Sequence, residues 1–136
     1  MPHWLQLMLD SLGPLLWAAA VFTAPLTLLS FAFGLIVGLA VALIRLFGPK
    51  PLVAVVRFYV WIFRGTPLLV QLFLIFYGLP SAGILLDNFT AALIGFTLNV
   101  GAYTSEIIRA AIGSVAKGQW EAAYSIGMSW GQAMRR

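Results

Sequence analysis

The chain has 136 residues, of which 62% are hydrophobic and only 9% charged, against roughly 25% charged in soluble domains. Uncharged stretches of 34, 22 and 18 residues lie between Asp10 and Arg45, Arg64 and Asp87, and Asp87 and Glu106; each reaches the ~18 residues of a membrane-helix candidate, so a soluble globular domain is excluded. Cysteine is absent, which excludes disulfides and thiolate metal sites, and the net charge of +4 comes without a basic helix or aromatic–basic interleaving, so it does not point to nucleic acid.

The first stretch is too long for one upright helix: its 34 residues would extend about 51 Å against a hydrocarbon core of about 30 Å. Pro14 and Pro25 offer breaks, because proline removes a backbone donor and clashes with the preceding turn. Residues 4–20 are therefore expected to form an interfacial or re-entrant helix anchored by Trp4 and Trp17, with the first span over about 25–46. Gly34 and Gly38 leave a flat strip on that span for another backbone, and ordinary packing within the chain is its commoner use. No basic region precedes the apolar run, so a cleaved signal peptide is not expected.

Residues 48–64 form a basic, aromatic-rich connector, expected as a helix at the interface. Arg57 and Arg64, seven apart, share one face and can snorkel toward headgroups. Arg64-Gly65-Thr66-Pro67 then opens a second span over about 65–80, with Thr66 as N-cap and Pro67 at the first helical position. The third span, about 89–112, is the polar one. Asn99, Tyr103 and Glu106 recur at helical spacing, and Arg109 lies within reach of Glu106. A charge at membrane depth costs from about 2.5 kcal/mol upward unless it faces protein or water. Two readings stand: a structural ion pair at the membrane boundary, or a face lining the substrate path or its gate.

All eight basic residues fall after the first and third stretches: Arg45, Lys50, Arg57 and Arg64, then Arg109, Lys117, Arg135 and Arg136. Lysine and arginine stay on the cytoplasmic side, so the expected topology is N-terminus outside, three spans, and segments 48–64 and 113–136 cytoplasmic. No hydrolytic or phosphate-binding machinery is visible. His3 is the single histidine, and neither lysine sits in a Gly-x-x-x-x-Gly-Lys-Ser/Thr loop. Energy for any work would come from a partner or an ion gradient. In the last segment Trp120, Tyr124, Gly127 and Gly131 follow one helical seam, and Glu121, Ser125, Met128 and Gln132 the next. Such a helix, thinned by Ala122, Ala123 and glycine, could enter a partner's groove. Periodicity alone slightly favours an interfacial surface helix.

Glu121-Ala122-Ala123 followed by Gly127 resembles the EAA loop of the membrane subunits of bacterial ABC importers, whose pattern continues to Ile-x-Leu-Pro past Arg136. RGTPLLVQLF at 64–73, YGLP at 77–80, GAYTSEIIRA at 101–110 and KGQWEAA at 117–123 are similar, in the same order, to polar amino-acid ABC permeases. Arg45-Leu46, Arg57-Phe58-Tyr59 and the SIGM run at 125–128 look most like the L-cystine branch. The resemblance implies an all-α integral membrane subunit of five spans in the bacterial inner membrane, of which this chain would be the front part. It also implies a second permease subunit, cytoplasmic ABC ATPase subunits that use the ATP, and an extracytoplasmic amino-acid-binding protein; no cofactor is expected on this chain. The segment 118–132 would be the coupling helix, with Gly118, Trp120, Glu121, Ala122, Ala123, Tyr124 and Gly127 at the ATPase contact. Without the fourth and fifth spans, the 136 residues alone are expected not to transport. A small ion-coupled carrier and a non-transporting membrane scaffold are the rival classes.

Overall fold

The computed structural model describes residues 2–135, and among them every regular element is helical. Arg136, expected on the cytoplasmic side, lies outside the described residues. α1 (His3–Ala18), a π turn (Ala19–Thr23) and α2 (Ala24–Phe47) join into one continuous helical run of 45 residues. A separate helix at 4–20 is therefore not formed. Pro14 is carried inside α1, none of whose residues is buried. Pro25 sits at the start of α2, directly after the π turn, where the wider i→i+5 turn takes up the mismatch that a proline causes in an α ladder.

α2 is held against α6 (Asn88–Gly113) by small residues. A Cβ built on Gly38 would lie 2.9 Å from Thr104 Cβ and 3.2 Å from both Gly101 O and Ser105 N. One built on Gly34 would lie 2.5 Å from Val100 Cγ1, and one on Gly101 2.7 Å from Val37 Cγ1. The Gly34/Gly38 strip is thus spent on packing within the chain, and Ala42, Ala102 and Ser105 are fully buried beside it. Lipid tails give apolar side chains little reason to associate, so close backbone approach supplies the dispersion contact that holds such helices.

α3 (Lys50–Gly65) lays Val56 and Val60 on Val41 of α2, and the Tyr59 hydroxyl donates to Leu98 O of α6 at 2.5 Å. The chain then turns through 110° into the arm Leu68–Ser81, made of α4 (Leu68–Phe73), a π turn (Leu74–Gly78) and α5 (Leu79–Ser81). Here the expected cap is corrected. Pro67 is the N-cap of α4, and Thr66 instead closes α3, its hydroxyl donating to Ile62 O at 2.8 Å. A residue before proline is driven to extended backbone, as Thr66 is at φ −121° and ψ 145°, so it ends one helix and does not begin the next. At the far end of α6, Asp87 is the N-cap. Hydrogen bonds from Thr90, including its backbone N–H at 2.9 Å, hold the Asp87 carboxyl below the usual carboxylate range.

His3–Phe47 and Asn88–Gly113 are long and apolar enough to cross a membrane, and the bent pair Lys50–Gly65 with Leu68–Ser81 makes a third if it is one broken span. Gly38→Ala should cost about 1–3 kcal/mol, since backbone atoms of α6 cannot yield as a side chain can. Gly118→Ala in α7 (Lys117–Ser125), whose Cβ meets nothing within 4 Å, should be neutral or gain up to about 1 kcal/mol of helix propensity. Detergent-titrated unfolding followed by circular dichroism checks both; equal midpoints would mean that α2 and α6 do not approach closely.

Candidate functional site

The polar face of α6 divides into two centres. Near its middle, Asn99 Nδ2 donates to Gln71 Oε1 at 3.0 Å. Gln71, only 5% exposed, turns its Nε2 to Phe63 O (2.8 Å), Thr66 O (3.0 Å) and Thr66 Oγ1 (2.9 Å). One amide thereby satisfies the carbonyls left open where α3 stops, and fastens the 110° elbow to α6. Asn99 belongs to this fastening.

A turn or two further along α6, Glu106 gathers arginines from three helices. Its Oε1 accepts from Arg45 Nη1 at the end of α2. Arg64 Nη1, from the last turn of α3, stands 3.6 Å from the same oxygen. Its Oε2 accepts from Arg109 Nε at 3.0 Å and Nη2 at 2.9 Å. The Arg64 guanidinium carbon also lies 5.5 Å from the centre of the Tyr103 ring. Tyr103, Glu106, Arg109 and Arg64 are therefore one cluster, while Gly65 faces open space and Pro67 starts the arm. The side chains of Arg45 and Glu106 are 13% and 19% exposed, so the carboxylate is balanced in surroundings where an unpaired charge would be costly.

Sequence reasoning found the Glu106–Arg109 pair from its spacing and singled out Arg64 only at a span start; it did not bring Arg45 or Arg64 to Glu106, and it missed Gln71. The available signal was depth. An acid near one end of a span needs a cation at the same level, and Arg45 and Arg64 stand at the corresponding ends of their own helices.

Beyond α6 the expected single coupling helix is a helix–turn–helix. α7 (Lys117–Ser125) stops in a left-handed turn at Gly127, φ +80°. Gly127 N donates to Tyr124 O at 3.0 Å and Met128 N to Ala123 O at 3.1 Å, the paired bonds of a Schellman ending. α8 (Trp130–Arg135) follows, with Gln132 Oε1 accepting from Ser129 N at 2.8 Å. That bond is half of a capping box, and the Ser-x-x-Gln spacing at 129–132 was readable in the sequence.

The seam Trp120–Tyr124–Gly127–Gly131 is thus broken. Gly127 is required for its backbone angle, and a Cβ on it, on Gly118 or on Gly131 would meet nothing within 4 Å. Trp120, Ala122 and Ala123 instead line a cleft of about 670 Å³ with Ile112, Met128 and Met134. Glu121, Ala122 and Tyr124 stay exposed, Glu121 making only a 3.7 Å contact with Lys117. Trp130 packs edge-on against Phe47, ring centres 5.2 Å apart, which ties the pair of helices back to the end of α2.

A bundle of apolar helices that carries a short helix pair at one end defines a helical membrane protein. The chain belongs to the binding-protein-dependent transport system inner membrane component family, whose model matches residues 34–136. It is 55% identical over 124 residues to the L-cystine transport system permease protein TcyB of Bacillus subtilis (strain 168), covering 91% of this chain and 53% of that one. With TcyL, an L-cystine transport system permease protein of the same organism, it shares 43% over 136 residues, 95% of this chain and 57% of the other. A crystal structure of an amino acid ABC transporter with histidines superposes with a TM-score of 0.82 at 42% identity, over 95% of this chain and 60% of that one. The chain spans about half the length of the curated relatives it matches.

Glu106→Gln would strip the counter-charge from Arg45 and its neighbours. Removing one partner of a fully buried pair costs about 3–5 kcal/mol, and the partial exposure here reduces that to about 1–3 kcal/mol. Asp10→Asn, on an exposed face of α1, should stay within about 0.5 kcal/mol. Unfolding midpoints of the two variants check the difference, and equal, negligible shifts would mean that Glu106 is simply solvated.

Proposed function

We propose that the chain is part of the permease subunit of an ATP-driven amino-acid importer, with L-cystine as its substrate. The observation that carries the reading is the exposed α7–α8 pair, which presents Glu121-Ala122-Ala123 on a helix ended by Gly127. The L-cystine assignment is supported by the names of TcyB and TcyL and by the residues already noted at 45–46, 57–59 and 125–128. In the cell the partners are cytoplasmic ABC ATPase subunits, a second permease subunit and an extracytoplasmic amino-acid-binding protein. The N-terminus lies outside and the basic segments inside, because lysine and arginine resist translocation.

Coupling follows from where the side chains of α7 point. The outward face of Glu121 and Tyr124 enters a groove on the ATPase, in the manner of helix-in-groove recognition. The inward face, through Trp120 and Ala122, borders the cleft that the end of α6 also lines, and α8 meets α2 through Trp130 and Phe47. A displacement of α7 by the ATPase thereby reaches both long helices at the end where Glu106 ties them together.

In a complete permease, Glu121→Ala should remove a charged contact worth about 1.5–3 kcal/mol. Gly127→Ala should strain the turn by about 1–2 kcal/mol, and Gly127→Asn should restore most of the loss, because asparagine tolerates that conformation. L-cystine uptake and substrate-stimulated ATP hydrolysis should fall together while membrane levels hold. Normal ATPase co-purification and uptake in both Glu121→Ala and Gly127→Ala would reject the coupling role. Uptake that persists after ATP depletion would point to an ion-coupled carrier.

A further inference from the structure

A second polar feature opens beside the Glu106 cluster: a cleft of about 450 Å³ between α3 and the ends of α2 and α6, lined by Arg45, Arg57, Trp61, Arg64, Tyr103 and Glu106. Its volume falls in the range of small-ligand sites, roughly 300–1,000 Å³. We propose that this cleft binds the phosphate of an anionic lipid headgroup, held by Arg57 and Arg64.

The charge balance points to an anion. The chain has four acidic residues, Asp10, Asp87, Glu106 and Glu121. Both oxygens of Glu106 are taken, by Arg45 and by Arg109, and Glu121 faces Lys117. Asp87 caps the opposite end of α6, and Asp10 sits near the start of the 45-residue run that ends beyond Arg45. Among the described residues Arg57 is in no ion pair, and Arg64 has only its 3.6 Å contact with an oxygen that Arg45 already uses. The cleft therefore holds three guanidinium groups against one carboxylate, and that carboxylate is also paired with Arg109. An excess of positive charge at a membrane boundary draws an anion, and guanidinium forks match phosphate oxygens in geometry.

The surroundings favour a lipid over soluble phosphate. Lys50, Arg57 and Arg64 stand at seven-residue intervals down one face of α3. Beside that stripe Phe58 and Trp61 stack at 5.9 Å and are 61% and 69% exposed. A basic row flanked by exposed aromatic and aliphatic side chains is how an amphipathic helix meets headgroup and acyl chain together, and a free phosphate would use only the first half of it. The inference needs only that the chain lies in a bilayer and stands apart from the transport reading.

The test places the chain in nanodiscs of phosphatidylcholine doped with phosphatidylglycerol whose acyl chains carry bromine, a quencher of tryptophan fluorescence; subtracting the Trp61→Phe variant isolates the Trp61 signal. Brominated phosphatidylglycerol should quench Trp61 at a lower mole fraction than brominated phosphatidylcholine. Arg57→Gln, which leaves every contact of Glu106 in place, should shrink that preference about fivefold, with a similar factor for Arg64→Gln, the usual contribution of one basic residue near an anionic surface. Arg57→Lys should keep part of it. Circular dichroism of the same samples separates loss of the site from loss of the fold, and only folded variants are scored. Equal quenching by the two lipids, or an unchanged preference in folded Arg57→Gln, would overturn the proposal. Abolition of the preference by inorganic phosphate at constant ionic strength would make soluble phosphate the ligand and overturn the lipid assignment.

Discussion

Glu106 is the only acid within α6, and the arrangement of α2, α3 and α6 follows from how its charge is balanced. A carboxylate at that depth is tolerable only with cations at the same level, and those come from the ends of α2 and α3 as well as from α6 itself. Arg45 can reach it because α2 and α6 run almost backbone to backbone, through Gly34, Gly38 and Gly101. The glycine strip and the ion cluster are therefore one device. Close packing sets the distance between the helices, and the charge sets their register along the axis, since sliding by a turn would part Arg45 from Glu106.

The elbow after α3 is stiff for a similar reason. Proline at 67 stops α3 and leaves its final carbonyls open, and open carbonyls away from water are expensive. Gln71 answers two of them and is itself held by Asn99, so the short arm Leu68–Ser81 is fixed to α6 by polar bonds. At the other end of α6 the helix pair α7–α8 has a larger exposed share, and its attachment is mostly apolar and aromatic.

Much of this was legible in the sequence. The lengths of the uncharged stretches gave the helical membrane class, and the order of the four short runs between 64 and 123 gave the family. The Glu106–Arg109 pair followed from three-residue spacing, and the use of Gly34 and Gly38 within the chain was the commoner of the two readings. Three features were not legible. Proline's ordinary effect is to break a helix, but the π turn before Pro25 absorbs it without a break. Thr66 has the side chain of a cap for the helix that follows, but the residue before a proline serves the helix that precedes. Arg45, Arg64 and Gln71 contribute across helices, where spacing along one chain segment carries no information. The ending at Gly127 was available, since a glycine followed by Ser-x-x-Gln marks a stop and a restart, but the apparent seam through Gly131 hid it.

The claim on which the rest depends is that Arg45 and Glu106 act as one unit across the α2–α6 contact, and a double-mutant cycle measures it directly. Arg45→Gln, Glu106→Gln and the double variant would be compared by unfolding in the same micelles. If each residue holds the other, the double change costs less than the sum of the singles, with a coupling of about 1–3 kcal/mol. Additivity within about 0.5 kcal/mol would contradict the account and leave the helices held by packing alone.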